Sequence, residues 1–255
     1  MLLRLLRYGL ALAVLGYASY LDVKVREVSD WVWLLSVPVC LALTVLEVSL
    51  GGVMVQAVLV SVVIAFGLGL ILSYSGLVGG ADAKALFLLS LAVPIYLDGF
   101  PVLGDLLGIP VIAVFCNSIL LSMISPLSVF ALNITDVLRG KSLFRGVEVS
   151  VLGKAVLLFT SRRVSFSKLD GSLHYFPAET LVKEKGGFKR KSLHFVDAEA
   201  DITRLIQDIK ENAELYRDGV LASPTIPIII FYTLGLILLP LGNLILLFLQ
   251  AIVNL

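Results

Sequence analysis

The charged residues of this chain are concentrated in one segment, and this distribution restricts the possible folds more than any other feature of the sequence. The chain has 39 Lys, Arg, Asp and Glu residues, and 27 of them lie between positions 132 and 222. The other 164 positions carry 12 charges and include uncharged runs at 48–81, 106–135 and 219–255. A bilayer-spanning helix needs about 20 apolar residues. These runs therefore predict a polytopic α-helical membrane protein with one soluble segment, rather than a soluble globular protein.

The uncharged runs divide into six predicted transmembrane helices. Two of the runs, at 8–21 and 85–97, are too short to cross a bilayer unless nearby charges lie within or near the membrane: Asp22 for the first run, and Asp82 and Lys84 for the second. The division predicts a membrane domain at 1–131 with helices 1–5, a soluble domain at 132–222, and helix 6 within 223–255. The predicted helices cover residues 3–22, 31–50, 53–75, 80–98, 108–131 and 226–251.

The soluble segment is predicted to be a small α+β domain inserted before the last helix. Residues 147–160 and 163–176 are rich in β-branched and aromatic side chains, which is typical of strands, and Asp170-Gly171 predicts a hairpin turn. Residues 198–216 have the apolar spacing of a helix. The basic stretch at 185–191 is predicted to be a solvated loop or one that contacts lipid.

Basic residues in the connections predict the orientation in the membrane. The connections that carry Lys24 and Lys84, and the soluble segment with its many basic residues, alternate with connections that have none. This pattern predicts a multi-pass plasma-membrane protein whose soluble domain is cytoplasmic. Arg4 and Arg7 do not follow the pattern, because they fall on the outer side. A cleaved signal peptide ending near residues 16–18 is the alternative interpretation of the first helix.

Asp22 and Asp82 are the candidate catalytic residues. The predicted topology places both at the inner ends of their helices, on one side of the membrane. Two carboxylates at one depth can hydrolyse a peptide bond: one takes a proton from water while the other, protonated, polarises the scissile carbonyl. The alternative without a catalytic role is that the two helices end there and the carboxylates reach into water. Gly79, Gly80 and Ala81 precede Asp82 and would let a substrate backbone approach closely, or would simply form a loop.

Three segments of the chain resemble the Gly-x-Gly-Asp family of intramembrane aspartic proteases, in the branch of the archaeal preflagellin peptidases and the related type IV prepilin peptidases. They are residues 18–22 followed by Lys24, residues 79–84, and residues 223–227 before the last helix. Helix count, helix order and the insert before the last helix also agree. Ala81 stands where the relatives have glycine, a position at which the preflagellin branch accepts a small apolar residue.

The resemblance implies the activity and the site. It implies an aspartyl endopeptidase with Asp22 and Asp82 as the catalytic pair, motif support from residues 79–81 and Lys84, and no metal or organic cofactor. It also implies substrates with a short basic leader followed by an apolar helix, as in preflagellin-like precursors, cleaved at the cytoplasmic face. Membrane lipids are the other expected partner, and the small basic excess of the insert does not indicate nucleic-acid binding.

Glu27 and Asp30 are candidate contacts for the basic leader, because they directly follow Asp22 in the chain. The alternative for Asp30 is an N-cap of helix 2. For the whole chain, the alternatives are a prepilin peptidase with broader substrates, a proton-coupled transporter that uses Asp22 and Asp82 as relay groups, and a membrane-anchored scaffold for the insert. The sequence has no H-E-x-x-H zinc motif.

Overall fold

A computed structural model describes residues 1–75, 79–98, 108–169, 172–184, 187–193 and 202–253. The chain divides into two compact units: Met1–Ser122 with Pro227–Leu255, and Met123–Ile226. The described residues form these helices: α1 (Leu2–Val25), α2 (Asp30–Ser49), α3 (Val55–Tyr74), α4 (Gly80–Ala92), α5 (Pro110–Ser122), α6 (Ile124–Leu138), α7 (Val151–Thr160), α8 (Phe166–Leu169), α9 (Ile202–Glu211), α10 (Ile228–Ile237) and α11 (Leu244–Val253). The strands are β1 (Val147–Glu148), β2 (Arg162–Val164), β3 (Tyr175–Pro177), β4 (Glu179–Glu184), β5 (Gly187–Ser192) and β6 (Val220–Pro224).

Several of the helices are long and apolar enough to cross a membrane. Within the described residues there are four such stretches, namely α1, α2, α3 and Pro110–Leu138, and a fifth if α10 and α11 count as one bent span. The protein is therefore a mostly helical chain with four or five candidate membrane spans and a small sheet-containing region. The bend between α10 and α11 is 51°. It occurs because Pro240 interrupts the predicted helix 226–251, and Gly242 adopts a left-handed φ of 86°.

Helix α4 lies at the centre of the first unit, where it packs against α1, α2, α3, α5 and α10. Its 13 residues extend only about 20 Å, which is less than the roughly 30 Å of a bilayer core. It ends at Ala92, earlier than the predicted 98, because Pro94 forces the preceding Val93 out of the helical region. Most of its residues are buried within the protein: Ala85, Leu86, Leu88, Leu89, Ser90, Leu91 and Ala92.

Close packing brings α3 and α10 against the core. A Cβ added to Gly69 of α3 would lie 3.3 Å from the Cβ of Ala83 on α4. A Cβ added to Gly235 of α10 would lie 2.6 Å from the carbonyl oxygen of Val114 on α5. Only glycine permits the second approach, because real Cβ atoms do not come this close to another backbone.

Buried polar groups join α1, α2 and α4 at the end far from Asp22. Arg7 of α1 is fully buried and donates hydrogen bonds to the carboxylate of Glu47, to the hydroxyl of Thr44 at 2.8 Å, and to the carbonyl oxygen of Leu91 at 3.1 Å. Arg4 donates to the same Glu47 carboxylate at 2.7 Å. These contacts explain how two arginines occupy the end of the chain that the basic-residue rule assigns to the outer side: their charges are neutralised within the protein.

The second unit contains two three-stranded sheets. In one sheet β5 lies between β1, which is parallel to it, and β4, which is antiparallel. In the other, β6 lies between β2 and β3 and is antiparallel to both. The register pairs Arg163 with Leu221 and Phe176 with Ser223. An α+β arrangement follows from these strands and the helices between them.

Local predictions for this unit were wrong in three places. Residues 151–160 form α7 rather than a strand, because the Ser150 hydroxyl accepts the Gly153 N–H at 3.1 Å and caps the helix. The predicted strand 163–176 is split by α8. Much of the predicted basic loop forms β5, which pairs with β4 along its length. The predicted turn at Asp170-Gly171 lies outside the described residues, and the helix predicted at 198–216 is described from Ile202.

A buried ion pair anchors the core of the second unit. The Arg190 guanidinium donates two hydrogen bonds to the Glu179 carboxylate, at 2.8 and 2.7 Å, and a third to Asp218 at 2.9 Å. Glu179 also accepts the backbone N–H of Leu221 at 2.6 Å. The guanidinium stacks on the Tyr216 ring at 4.4 Å. The two sheets are thereby tied together, since Glu179 and Arg190 belong to one sheet and Leu221 to the other.

Candidate active site

Asp22 lies in the last turn of α1, and its side chain is next to the first turn of α10. Its carboxylate forms an ion pair with Arg26 at 3.8 Å, and both side chains are 16% exposed. The backbone N–H of Ile229 faces this carboxylate and stabilises its negative charge. Ile229 belongs to the first turn of α10, where backbone N–H groups have no partner within the helix and the helix dipole favours negative charge. The short apolar sequence after Pro227 thus places a hydrogen-bond donor opposite Asp22.

Asp82 lies in the first turn of α4 and its side chain turns back towards the helix start. Its Oδ2 atom accepts the backbone N–H of Gly79 at 2.8 Å, so the carboxylate caps the start of the helix from its third residue. Gly79 has an extended conformation, and both Gly79 and Gly80 are exposed. A Cβ at Gly80 would meet no atom of the described chain within 4 Å. The backbone before Asp82 is therefore open on one side, while Ala81 packs against the core.

The structure brings Asp22 and Asp82 into each other's electrostatic field. Helices α1 and α4 pack together, and the charge of Asp22 acts on the Asp82 carboxyl group. No hydrogen bond joins the two carboxylates in the described part of the chain. The arrangement can supply two carboxylates to one substrate group if the two helix ends approach further, so that one water contacts both.

Helix α10 contributes to this site, which the sequence reasoning did not assign to particular residues. Besides the Ile229 backbone, the buried Tyr232 ring lies within electrostatic range of Asp82. Two hydrogen bonds fix α10 on α1: Ser19 to Thr233 at 2.8 Å, and the Tyr8 hydroxyl to the Leu236 carbonyl oxygen at 2.7 Å. The signal for Tyr232 in the sequence was that it is the one tyrosine of the largely apolar segment 226–251.

Of the other predicted site residues, Lys84 and Asp30 form an ion pair with each other, whereas Glu27 is exposed. The Lys84 ammonium forms an ion pair with Asp30 at 2.5 Å, which links α4 to the start of α2. Asp30 is the first residue of α2 and Ser29 is its N-cap, so the N-cap alternative for Asp30 was wrong. Glu27 is exposed and has no ion-pair partner among the described residues. No group of three or more His, Cys, Asp or Glu side chains is arranged to hold a metal in the described part of the chain.

Comparison with known proteins places the aspartates within a recognised family segment. Residues 9–132 match the type IV leader peptidase family, and this range includes Asp22, residues 79–82 and Lys84. The chain is also similar to a preflagellin peptidase from Methanococcus voltae, with 28% identity over 149 residues. That alignment covers 54% of this chain and 63% of the relative, so the chain spans somewhat less than two thirds of the relative's length. The helical segment that carries Asp22 and Asp82 is therefore similar to the type IV leader peptidase family.

Proposed function

We propose that this protein is an intramembrane aspartyl endopeptidase that removes the short basic leader from preflagellin-like precursors. The observation that carries the proposal is the placement of Asp22 and Asp82 on two packed helices, each carboxylate within the field of the other, inside the segment that matches the leader peptidase family. The relative from Methanococcus voltae, a preflagellin peptidase, supports the substrate class.

The reaction needs a water molecule between the two carboxylates. One ionised carboxylate takes a proton from this water, and the resulting hydroxide attacks the scissile carbonyl carbon. The other carboxyl group, protonated, donates a hydrogen bond to the carbonyl oxygen. The C–N bond then breaks as the amide nitrogen receives a proton from the pair. The protonation states belong to the pair rather than to one residue, because like charges at short range titrate together.

The open backbone at Gly79 and Gly80 supports an approach of the substrate to Asp82. An extended substrate segment has unpaired N–H and C=O groups, which are costly at membrane depth unless protein or water satisfies them. The N–H of Gly80, in the first turn of α4, has no partner within the helix, and the N–H of Gly79 becomes available to a substrate carbonyl when its hydrogen bond to Asp82 is released. In this arrangement the scissile bond lies next to the start of α4, and the apolar helix of the precursor lies in the membrane.

The proposed topology has six crossings with the active site at the cytoplasmic face. Here α4 and the residues that follow it form the fourth crossing, and segment 132–222 is a cytoplasmic domain between a membrane domain at 1–131 and the last crossing at 223–255. Lys24 and Lys84 support this orientation.

A cysteine placed at Lys154 tests the orientation. It should react with a membrane-impermeant maleimide only in inverted vesicles, because the soluble segment then faces the reagent. Reaction in intact cells would contradict the orientation.

Exchanging either aspartate for asparagine tests the function. Membranes that contain the wild-type protein should cleave a tagged preflagellin, and Asp22→Asn or Asp82→Asn should lower the cleavage rate at least about a hundred-fold, because each removes an acid–base group. Asp98→Asn is the matched control, since it removes an exposed carboxylate of the same unit, paired with Arg4. A wild-type rate in either Asp22→Asn or Asp82→Asn rules out the dyad. A wild type that cleaves neither preflagellin nor prepilin favours the transporter.

Glu27 is the proposed contact for the basic leader, with Asp30 as a second one that must first exchange Lys84 for a leader cation. Glu27 is exposed and lies five residues after Asp22. Glu27→Lys should raise the KM for a basic-leader substrate by about five-fold, which corresponds to one screened charge contact, and should leave kcat nearly unchanged. A substrate with a neutral leader is the control and should not respond. If the KM for the basic-leader substrate is the same in Glu27→Lys as in the wild type, Glu27 does not contact the leader.

A further inference from the structure

The second unit contains a cavity of about 610 Å³ that is rich in basic side chains. It lies between the end of α6, the strand β2 and the turn at Ala213–Tyr216. Two acidic residues also line it, Asp136 and Asp218. The basic residues in its wall are Lys141, Arg162, Arg163, Lys168 and Arg217. The wall therefore carries more basic than acidic side chains.

Internal pairing leaves part of this charge available. Asp136 is shared by Lys141 at 2.8 Å and Arg162 at 3.3 Å. Asp218 pairs with Arg163 at 2.6 Å. Lys168 and Arg217 are exposed and have no partner among the described residues. Five cations thus face two carboxylates, and the field inside the cavity attracts anions.

Two buried donors in the same wall have no partner in the described chain. They are the hydroxyl of Tyr216, whose residue is only 3% exposed, and the Nε atom of Arg162. A buried donor without an acceptor costs about 1–3 kcal/mol, so native proteins rarely keep one without a use. Both atoms are closed off from solvent in this structure, so the oxygen atoms of an anion in the cavity can satisfy them once the two side chains rotate towards it. This observation is independent of the charge count and indicates the same class of ligand.

The cavity begins where a candidate membrane span ends. Asp136 and Val137 belong to the last turn of α6 and line the cavity, and the span Pro110–Leu138 ends one residue later. Lipid phosphates lie just outside the hydrocarbon core. With Pro110–Leu138 as a membrane span, the cavity wall starts near the lipid headgroups, within reach of their phosphate oxygens.

We propose that this cavity binds the phosphate of an anionic phospholipid headgroup. The ligand chemistry is a phosphate anion: its oxygens accept hydrogen bonds from the Tyr216 hydroxyl and Arg162, and its charge is balanced by Lys168 and Arg217. Because the cavity lies at the end of α6, where a candidate membrane span ends, we expect this phosphate to belong to a lipid rather than to a free phosphate compound. The site lies in the second unit and does not depend on the proposed peptidase activity.

Titration calorimetry on the purified full chain in neutral detergent tests this site. The probes are dihexanoyl-phosphatidylglycerol, dihexanoyl-phosphatidylcholine and glycerol phosphate. The phosphatidylglycerol should bind at least ten-fold more tightly than the other two. The double variant Lys168→Gln/Arg217→Gln should weaken its binding by about 25-fold, since each basic contact at a membrane surface contributes about five-fold. Lys154→Gln/Lys183→Gln removes the same charge from outside the cavity and should change binding less than two-fold.

A second variant separates binding from folding. Tyr216→Phe removes a hydroxyl that has no partner, so the lipid-free protein should keep or raise its thermal midpoint. Its affinity for phosphatidylglycerol should nevertheless fall by about five-fold. Equal binding of phosphatidylcholine, or an equal loss in the Lys154/Lys183 control, overturns the site. Equal binding of glycerol phosphate overturns the lipid as the source and assigns the cavity to a soluble phosphate compound.

Discussion

Individual charged side chains within the membrane segment behave in two different ways. Asp22 and Asp82 have few partners: one distant ion pair and one backbone contact for Asp22, and one capping hydrogen bond for Asp82. Arg7 and Glu47, at the other end of α1, are buried and multiply hydrogen-bonded. A charge that is fully paired serves structure, whereas a charge that keeps acceptor capacity can do chemistry. The aspartates are of the second kind.

Arg7 is expected to stabilise the membrane unit. Arg7→Met should lower the free energy of unfolding by about 3–5 kcal/mol, because it leaves the buried Glu47 carboxylate with Arg4 as its one remaining cation. Denaturant titration in micelles measures the effect. The double variant Arg7→Met/Glu47→Leu removes both charges and should recover much of the loss. A double variant less stable than Arg7→Met alone would show that the pair does not act as a unit.

At the scale of elements, α10 connects the two aspartates. Its first turn contacts Asp22 through Ile229, and Tyr232 lies near Asp82. The position of α10 depends on its approach to α5 at Gly235, where a Cβ would overlap the Val114 carbonyl oxygen and the Ser118 hydroxyl. The site geometry thus depends on a packing contact remote from the carboxylates in the sequence.

Gly235→Ala should reduce cleavage without abolishing expression. The added methyl group forces α10 away from α5 and shifts Ile229 and Tyr232, so the rate should fall about ten-fold or more, since small misplacements of catalytic groups are costly. Gly67→Ala is the matched control, because a Cβ at Gly67 meets no atom within 4 Å and alanine favours the helix. Equal cleavage rates for the two variants would contradict a positioning role for this contact.

At the scale of the whole molecule, the second unit has its own buried ionic core. Burial alone would raise the pKa of Asp218, but the hydrogen bond from Arg190 and the charges of Arg163 and Arg190 outweigh it, and the pKa lies below its usual range. A carboxyl group with a lowered pKa in the folded state stabilises the fold above its unfolded pKa of about 3.9 and loses that contribution as the pH falls through the folded value.

The second unit should therefore lose stability below about pH 4. Hydrogen-exchange protection of the β6 amides in the full chain measures this, as a protection factor corrected for the intrinsic exchange rate. Asp218→Asn should have lower protection at pH 6 and a flatter decline towards pH 3, since the residue no longer titrates. A decline as steep in Asp218→Asn as in the wild type would assign the acid sensitivity to another carboxyl group.

The sequence alone predicted the long apolar helices, the presence of a small sheet-containing region, and the resemblance to leader peptidases that the comparison with known proteins supports. Hydropathy acts over whole runs of residues, so the apolar runs predicted the helices that span residues 2–25, 30–49 and 55–74 to within a few residues. The motif around Asp82 is local, and so was recognisable in one sequence. Short-range patterns failed at 151–160, where a single capping serine outweighed the strand-like composition.

Other features depended on tertiary structure, because they arise from residues far apart in the chain. The pairing of Arg7 with Glu47 joins positions 40 apart, and Lys84 with Asp30 joins positions 54 apart. The role of α10 beside Asp22 links residues separated by the whole insert. The sequence determined which side chains could be charged at membrane depth. Only the three-dimensional packing decided which of those charges are neutralised by a partner, and which remain available for a substrate.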